Sequence, residues 1–414
     1  MTIASLEFRK PEPDLEPSDF IERARAMREQ LRTEQDATEE RGSYSAETHD
    51  QFREAGFYRT LLPQRYGGQE FDVPTFVRMI IEVARGCPST GWCLSLAAGH
   101  GLQLAGLFPE QTQAEVLSGN CDFGAPLRAI PMGTAKRVSG GWEIDGSWDY
   151  CSGAPFSSHA MVCVRMENGG ANGIPIVGLA LVPRSQWTLL DDWRQRAFGM
   201  RGSGSNTIRI ENAVVPDHYV VEGNILAADF SGDTVGYRLH GNPMYAGHPA
   251  GFLQLEIGAV LVGTAQAALD EYERIVKEKK TTGPDAVLRY TTPDYQRYFG
   301  LALGKIDAAE DVLIRSSQNY MEYCQAATRD GSGFSGESLL RLHSRTHHAF
   351  NLAWDAVELL FRTSGTSEGA RNGSRMQRYY RDYSTARTNI GLQYEPFATR
   401  IAAVHFGLES PRIA

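Results

Sequence analysis

Apolar residues recur every three to four positions over residues 18 to 120 and again beyond residue 250, while the segment between them alternates over short runs. "SDFIERARAMREQLRTEQDATEERG", "DQFREAGFYRTL" and "VPTFVRMIIEVARG" predict helices, punctuated by Pro63, Gly67 and Gly68. From residue 121, "GTAKRVSGGWEIDGSWDYCSG", "SHAMVCVRM", "IPIVGLALVP" and "SNTIRIENAVVP" are β-branched or aromatic runs separated by Gly, Pro and Asn, and "VSGGWEIDG" has the grammar of a hairpin. Beyond residue 250 come four long helical patterns joined by loops containing Gly or Pro, which suggest a bundle. The expected fold is mainly α with a central β domain: an N-terminal α-helical domain (1–120), a middle β-barrel or sandwich (121–235) and a C-terminal four-helix bundle (236–414).

Composition narrows the partners. With 414 residues and 42% hydrophobic content the chain can bury a sizeable core. The net charge of −9 and the lack of a Lys/Arg run argue against nucleic acid or an anionic membrane and for diffusible small molecules. The first twenty residues carry charges and no continuous apolar core, so neither a signal peptide nor a membrane span is expected. Six scattered cysteines lack metal-ligand spacing and fit small core residues in a reducing compartment, so a cytoplasmic location is expected.

The candidate chemistry is sparse. "GMRGSGSN" leads into a strand and not a helix, so it does not read as a phosphate loop. His347 and His348 in "THH" lack zinc-site context and are expected at a surface or interface; no metal site is expected. His100, in "SLAAGHGLQLAGLF", is either a satisfied core histidine or an imidazole with room for a ligand beside it. In "GSWDYCSGAPFSS", Trp148 and Tyr150 offer stacking surfaces and Ser152–Gly153 permits close backbone approach, although a core strand would read the same way.

"LLPQRYGGQEFDVPTFVRMIIEVARGCPSTGWCLSLAAGHGLQLAGLFPEQTQAEV", "GSWDYCSG", "FGMRGSGSNTIRIENAVVPDHYV", "VGTAQAALDEY" and "MQRYYRDYSTA" occur in an order that resembles the oxygenase components of two-component, group D flavin-dependent monooxygenases, built on the acyl-CoA dehydrogenase fold. The resemblance covers about residues 20 to 408. It implies a homotetramer that takes reduced FMN, or alternatively FAD, from a separate NAD(P)H-dependent flavin reductase. Through a C4a-hydroperoxyflavin made with O₂, such an enzyme hydroxylates a small, aromatic substrate. The alternatives it leaves are N-oxygenation of an amine, or an acyl-CoA dehydrogenase or oxidase activity with a relocated base.

The site residues follow from the same resemblance. The position where a dehydrogenase glutamate commonly follows "RD" is Ile390, which cannot act as a base; Glu256 and Glu395 are the carboxylates that keep a dehydrogenase reading open. Ser152 matches the serine that hydrogen-bonds near flavin N5, and His100 the histidine facing substrate or peroxide. A second family histidine falls at Asn389, which cannot titrate, and another at Ser384. Trp148, Tyr150, Cys151 and Ser152 are expected to line the isoalloxazine. Gly365, Thr366 and Ser367 are expected to reach a neighbouring subunit's flavin, with Arg378 either near the phosphate or structural. Tyr245 and His248, in "YRLHGNPMYAGHPAGF", are expected to contact substrate from a covering loop or to serve only as lid packing.

Overall fold

A computed structural model describes residues 3–167, 176–226 and 232–408, without the side chains of Ala4, Ile390 and Tyr394. Eight helices come first: α1 (Pro17–Ala26), α2 (Arg28–Thr33), α3 (Gln35–Arg41), α4 (Ala46–Ala55), α5 (Val73–Gly86), α6 (Pro88–Ala98), α7 (Gly101–Leu107) and α8 (Glu110–Leu117). The opening amphipathic stretch is thus three short helices with joints at Met27 and Glu34. In α5, Asp72 caps the first turn by accepting from the Thr75 amide, and Pro74 occupies a first-turn position where no amide hydrogen is needed.

Seven strands follow: β1 (Leu127–Val138), β2 (Gly141–Cys151), β3 (His159–Met166), β4 (Ile176–Pro183), β5 (Thr188–Leu189), β6 (Asn206–Val215) and β7 (Val220–Glu222). They form one sheet in the order β5-β6-β2-β1-β3-β4-β7, in which β1 and β3 run parallel and every other pair antiparallel. The expected hairpin is β1–β2, closing at Val138 opposite Gly141 with Gly140 at φ +94°. Toward the end of β2, three steps from Trp148 to Cys151 face two steps on β6 from Ile208 to Asn206. This is a bulge, and within it Tyr150 takes φ +54°.

The remaining helices are α9 (Val235–His240), α10 (Pro249–Glu278), α11 (Pro293–Asp330), α12 (Gly336–Ser364), α13 (Thr366–Gly369), α14 (Arg375–Ala386) and α15 (Tyr394–His405). One hydrophobic core joins α5 and α6 to α10, α11, α12 and α14, so the two helical regions merge in space. A second core lies between the sheet and the α7–α8 region. Helix α10 is long and apolar enough to cross a membrane, but 83% of its apolar window is buried in the fold, as befits a central core helix. All six cysteines are free and buried. His347 is buried on α12, its ring packed against Phe350 and Phe397, because it shares the inward face with His343 one turn earlier; the expectation of a surface position is corrected for it. His348 is exposed.

Candidate functional site

Helix α6 organises the chemistry. Gly153 sits at φ +82°, and a Cβ there would lie 2.7 Å from the Cys93 carbonyl oxygen and 2.8 Å from Ala97 Cβ, so the end of β2 docks tightly on α6 only through a glycine. That docking brings the Ser152 hydroxyl to Trp92, whose Nε1 donates to Ser152 Oγ at 3.0 Å. Ser152 Oγ is also 2.7 Å from Ser205 Oγ, and Ser205 Oγ is 2.6 Å from Ser203 Oγ. The glycine and serine run of residues 202–205 therefore supplies a buried hydroxyl chain and not a phosphate cradle. Since Ser152 Oγ already accepts from Trp92, its own hydrogen is available to Ser205 or to a ligand.

The bulge turns Tyr150 outward. It is 57% exposed, edge-on to Trp193 at 5.8 Å between ring centroids, with the Arg128 guanidinium 5.6 Å from its ring. Phe198, 58% exposed, lies in the loop before β6. That loop is held by the "RD" pair of α14: the Arg381 guanidinium donates to the Phe198 carbonyl at 2.8 Å, and Asp382 Oδ1 accepts from the Met200 amide at 2.6 Å. Trp193 Nε1 donates to the Met200 carbonyl at 2.8 Å, tying the aromatic group to the same loop. Burial pushes the Asp382 carboxyl up to about 6, with the Met200 amide acting against it. These exposed rings beside a hydroxyl donor fit a planar, apolar heterocycle with a hydrogen-bonding edge, such as flavin.

At the far end of α6 the chain kinks into α7 at Gly99 and His100. His100 is 2% exposed; its Nδ1 is 2.7 Å from the Ala125 carbonyl oxygen and its Nε2 is 3.3 Å from Glu256 Oε1 on α10. Ser95 Oγ donates to the Glu256 carbonyl at 3.0 Å, fixing α6 to this turn of α10. Burial raises the Glu256 carboxyl above its ordinary range, partly offset by His100. One helix thus carries Trp92 toward Ser152, Ser95 toward Glu256, and His100 at its end.

Several expected site residues sit elsewhere. Trp148 is fully buried and donates to the Cys163 carbonyl at 3.0 Å, and Cys151 is buried with its thiol against the Trp148 carbonyl; both face the sheet core, so of the four residues expected to line the isoalloxazine only Tyr150 and Ser152 are placed to do so. Arg378 is buried and already paired with Asp36 and Glu39, which assigns it a structural role instead of a phosphate contact. Tyr245 is buried with its hydroxyl donating to the Leu61 carbonyl at 3.1 Å. His248 caps α10 by accepting from the Ala250 amide and packs on Phe334. Both belong to packing and not to a substrate contact. Asn389 is exposed and its Oδ1 accepts from the Gly391 amide at 2.9 Å. Ser384 donates back to the Tyr380 carbonyl within α14.

Gly365, Thr366 and Ser367 lie at the end of α12, where Arg289 donates to the Ser364 carbonyl at 2.6 Å; Thr366 and Ser367 are exposed. Glu395 is exposed on α15, whereas Glu256 is enclosed against His100. A cavity of about 340 Å³ bordered by Arg32, Glu271, Arg274, Glu368, Arg375 and Arg378 is lined by charges that pair largely with one another or, for Arg378, with Asp36 and Glu39. Sequence reasoning missed Trp92 and Ser205, although both stand in quoted motifs, "STGW" and "GSGS". Neither motif shows that its polar atom points at Ser152.

Comparison with known proteins identifies the family and the fold. Residues 17–119 match the acyl-CoA dehydrogenase N-terminal domain and residues 255–394 the acyl-CoA dehydrogenase C-terminal domain. The chain is 28% identical over 406 residues to a pigment production hydroxylase of a Rhodococcus species, covering 96% of this chain and 98% of that one. It is 27% identical over 399 residues to the oxygenase component of the FADH₂-dependent resorcinol hydroxylase of a Rhizobium species, covering 94% of each. The crystal structure of the HsaA monooxygenase from M. tuberculosis superimposes with a TM-score of 0.85 at 25% identity, covering 96% of this chain and 99% of that one.

Proposed function

We propose that this chain, which belongs to the acyl-CoA dehydrogenase superfamily, is the oxygenase component of a two-component flavin-dependent monooxygenase that hydroxylates a small aromatic substrate. The observation that carries the reading is the Ser152 hydroxyl, fixed by the Trp92 N–H, beside the outward Tyr150 ring. Bound in its reduced state, flavin supplies the electrons that activate O₂ for transfer of one oxygen atom to an aromatic carbon. The chain's own residues do the rest. Tyr150, Trp193 and Phe198 would offer the isoalloxazine an apolar face. Ser152 would donate to its polar edge, and the hydroxyl chain through Ser205 and Ser203 orients that donor. His100 and Glu256 hold the proton that a phenolic substrate must exchange.

A separate NAD(P)H-dependent reductase delivers the reduced flavin, consistent with a chain in which no dinucleotide-binding glycine motif was found. We read the assembly as a homotetramer. What supports this is an uncovered stripe on α11: Gly300, Gly304 and Ala308 are exposed beside Leu301 and Leu303, and a Cβ at either glycine would meet nothing within 4 Å. Thr366 and Ser367 are free to reach a neighbouring subunit's flavin, and the reduced cysteines fit a cytoplasmic location. Light scattering and cell fractionation check these two points.

The test is anaerobic titration with reduced FMN and reduced FAD, then mixing with O₂ and a panel of phenols while hydroxylated product and H₂O₂ are quantified. Tight binding of reduced flavin with product formation is expected. Tight binding of oxidised FAD with acyl-CoA oxidation and no hydroxylated product would overturn the reading.

A further inference from the structure

The contact between His100 and Glu256 requires a proton that neither group in its simplest form provides. The Ala125 carbonyl can only accept, so Nδ1 of His100 carries a hydrogen and Nε2 of the neutral ring presents a lone pair. A carboxylate oxygen 3.3 Å away would present another. One proton therefore lies between them, and the full burial of Glu256 keeps it on the carboxyl, facing Nε2, so that the pair is neutral overall. Glu256 is fully buried, and among the described residues neither of its carboxyl oxygens receives a hydrogen bond; the close polar contact is His100 Nε2. A bare buried carboxylate carries a large desolvation penalty; keeping the proton removes it.

The backbone is shaped for this contact. A Cβ on Gly99 would lie 2.5 Å from Glu256 Oε2 and 3.2 Å from the Phe252 ring, so a side chain at 99 would displace the carboxyl. The titratable groups on the other elements packed around α10 are engaged elsewhere. Glu82 of α5 pairs with Arg25 and Arg28, Glu310 of α11 accepts from Gln266, His343 and His347 of α12 pack on Phe397, and Asp382 of α14 accepts from Met200. Among the described residues, His100 is the titratable side chain in polar contact with the Glu256 carboxyl.

We propose that Glu256 is a positioning residue for His100, sharing one exchangeable proton with Nε2 so that the pair, and not the imidazole alone, is the acid–base unit of the site. The consequence for turnover rests on the monooxygenase reading; the pairing itself does not. When a phenolic hydroxyl is deprotonated at this pair, the O–H bond breaks, its electron pair stays on oxygen, and the pair holds the added proton as imidazolium beside neutral carboxylic acid. The reverse transfer returns it.

The full-length protein is compared as wild type, Glu256→Gln and Glu256→Asp. A glutamine amide can still donate to Nε2, which preserves the contact, but it cannot exchange a proton. Expected results are a neutral-carboxyl C=O infrared band in wild type that is absent from Glu256→Gln, with unchanged thermal midpoint and reduced-flavin affinity. Product per NADH should fall about tenfold or more in Glu256→Gln and lose its pH dependence. Glu256→Asp, which retains an acid, should recover part of the yield and keep a carboxyl band. Wild-type yield and pH profile in Glu256→Gln, or no band lost on that substitution, would overturn the proposal. If wild type binds reduced flavin but hydroxylates no phenol, the monooxygenase reading fails, while the infrared band still decides the pairing.

Discussion

Replacing Ser152 by alanine separates a folding role from a chemical one. Ser152→Ala removes the acceptor of the buried Trp92 N–H and the partner of Ser205. Leaving that indole donor unsatisfied costs about 1–3 kcal/mol of stability. If the hydroxyl also donates to a flavin edge that gains charge during oxygen activation, a hydrogen bond worth about 1.5–3 kcal/mol is lost there. That corresponds to roughly 10- to 100-fold in the partition between product and H₂O₂. The second substitution is Trp92→Phe, which removes the donor and leaves Ser152 its hydroxyl. The double variant Ser152→Ala/Trp92→Phe should regain much of the stability, because both partners are then apolar, but none of the coupling. Urea unfolding gives the first quantity; product, H₂O₂ and NADH measured together give the second. Unchanged coupling in Ser152→Ala, or coupling that returns with stability in the double variant, would refute a chemical role for this hydroxyl.

Glu39 joins the buried Arg378 and Arg381, and although burial opposes its charge, the hydrogen bond from Arg381 and the two guanidinium charges hold its carboxyl below the usual range. Glu39→Gln should therefore cost about 3–5 kcal/mol near neutral pH. The contribution of Glu39 is present above the ordinary carboxylate range and lost as pH falls through its depressed value, so the variant's stability loss should shrink in acid. Asp382 has the opposite sign: its carboxyl, pushed up to about 6, holds its proton more tightly in the folded state, so ionising it costs stability as pH rises from about 4 to 6. Asp382→Asn keeps an acceptor for the Met200 amide and should flatten that pH dependence, up to about 3 kcal/mol, as read by chemical unfolding from pH 4 to 8. Asn389→His restores the family's usual residue at an exposed position whose oxygen is already used by the Gly391 amide, so product yield should change less than about twofold, and a large gain would show that this position reaches the site.

The order of helices, sheet and helices was legible because periods of 3.6 and 2 follow directly from which face of an element must leave water. Motif order was enough to nominate Ser152 and His100 as site candidates, since a serine beside a glycine and a histidine among small residues are local features. Tyr150 and Trp148 show where local reading stops. Two residues apart on a strand, they should share a face, yet one is exposed and the other buried because the bulge opposite β6 reverses the alternation. Arg378 shows the same limit for charge: a cation in a motif is a candidate anion contact until Asp36 and Glu39, more than three hundred positions away in sequence, are seen to neutralise it. The local pattern therefore decided the elements and the residue types available to the chemistry. Which atoms meet depended on packing between distant segments: a missing Cβ at Gly99 and Gly153 lets α10 and β2 close on α6, and that closure makes a pair of Glu256 with His100 and a fixed donor of Ser152.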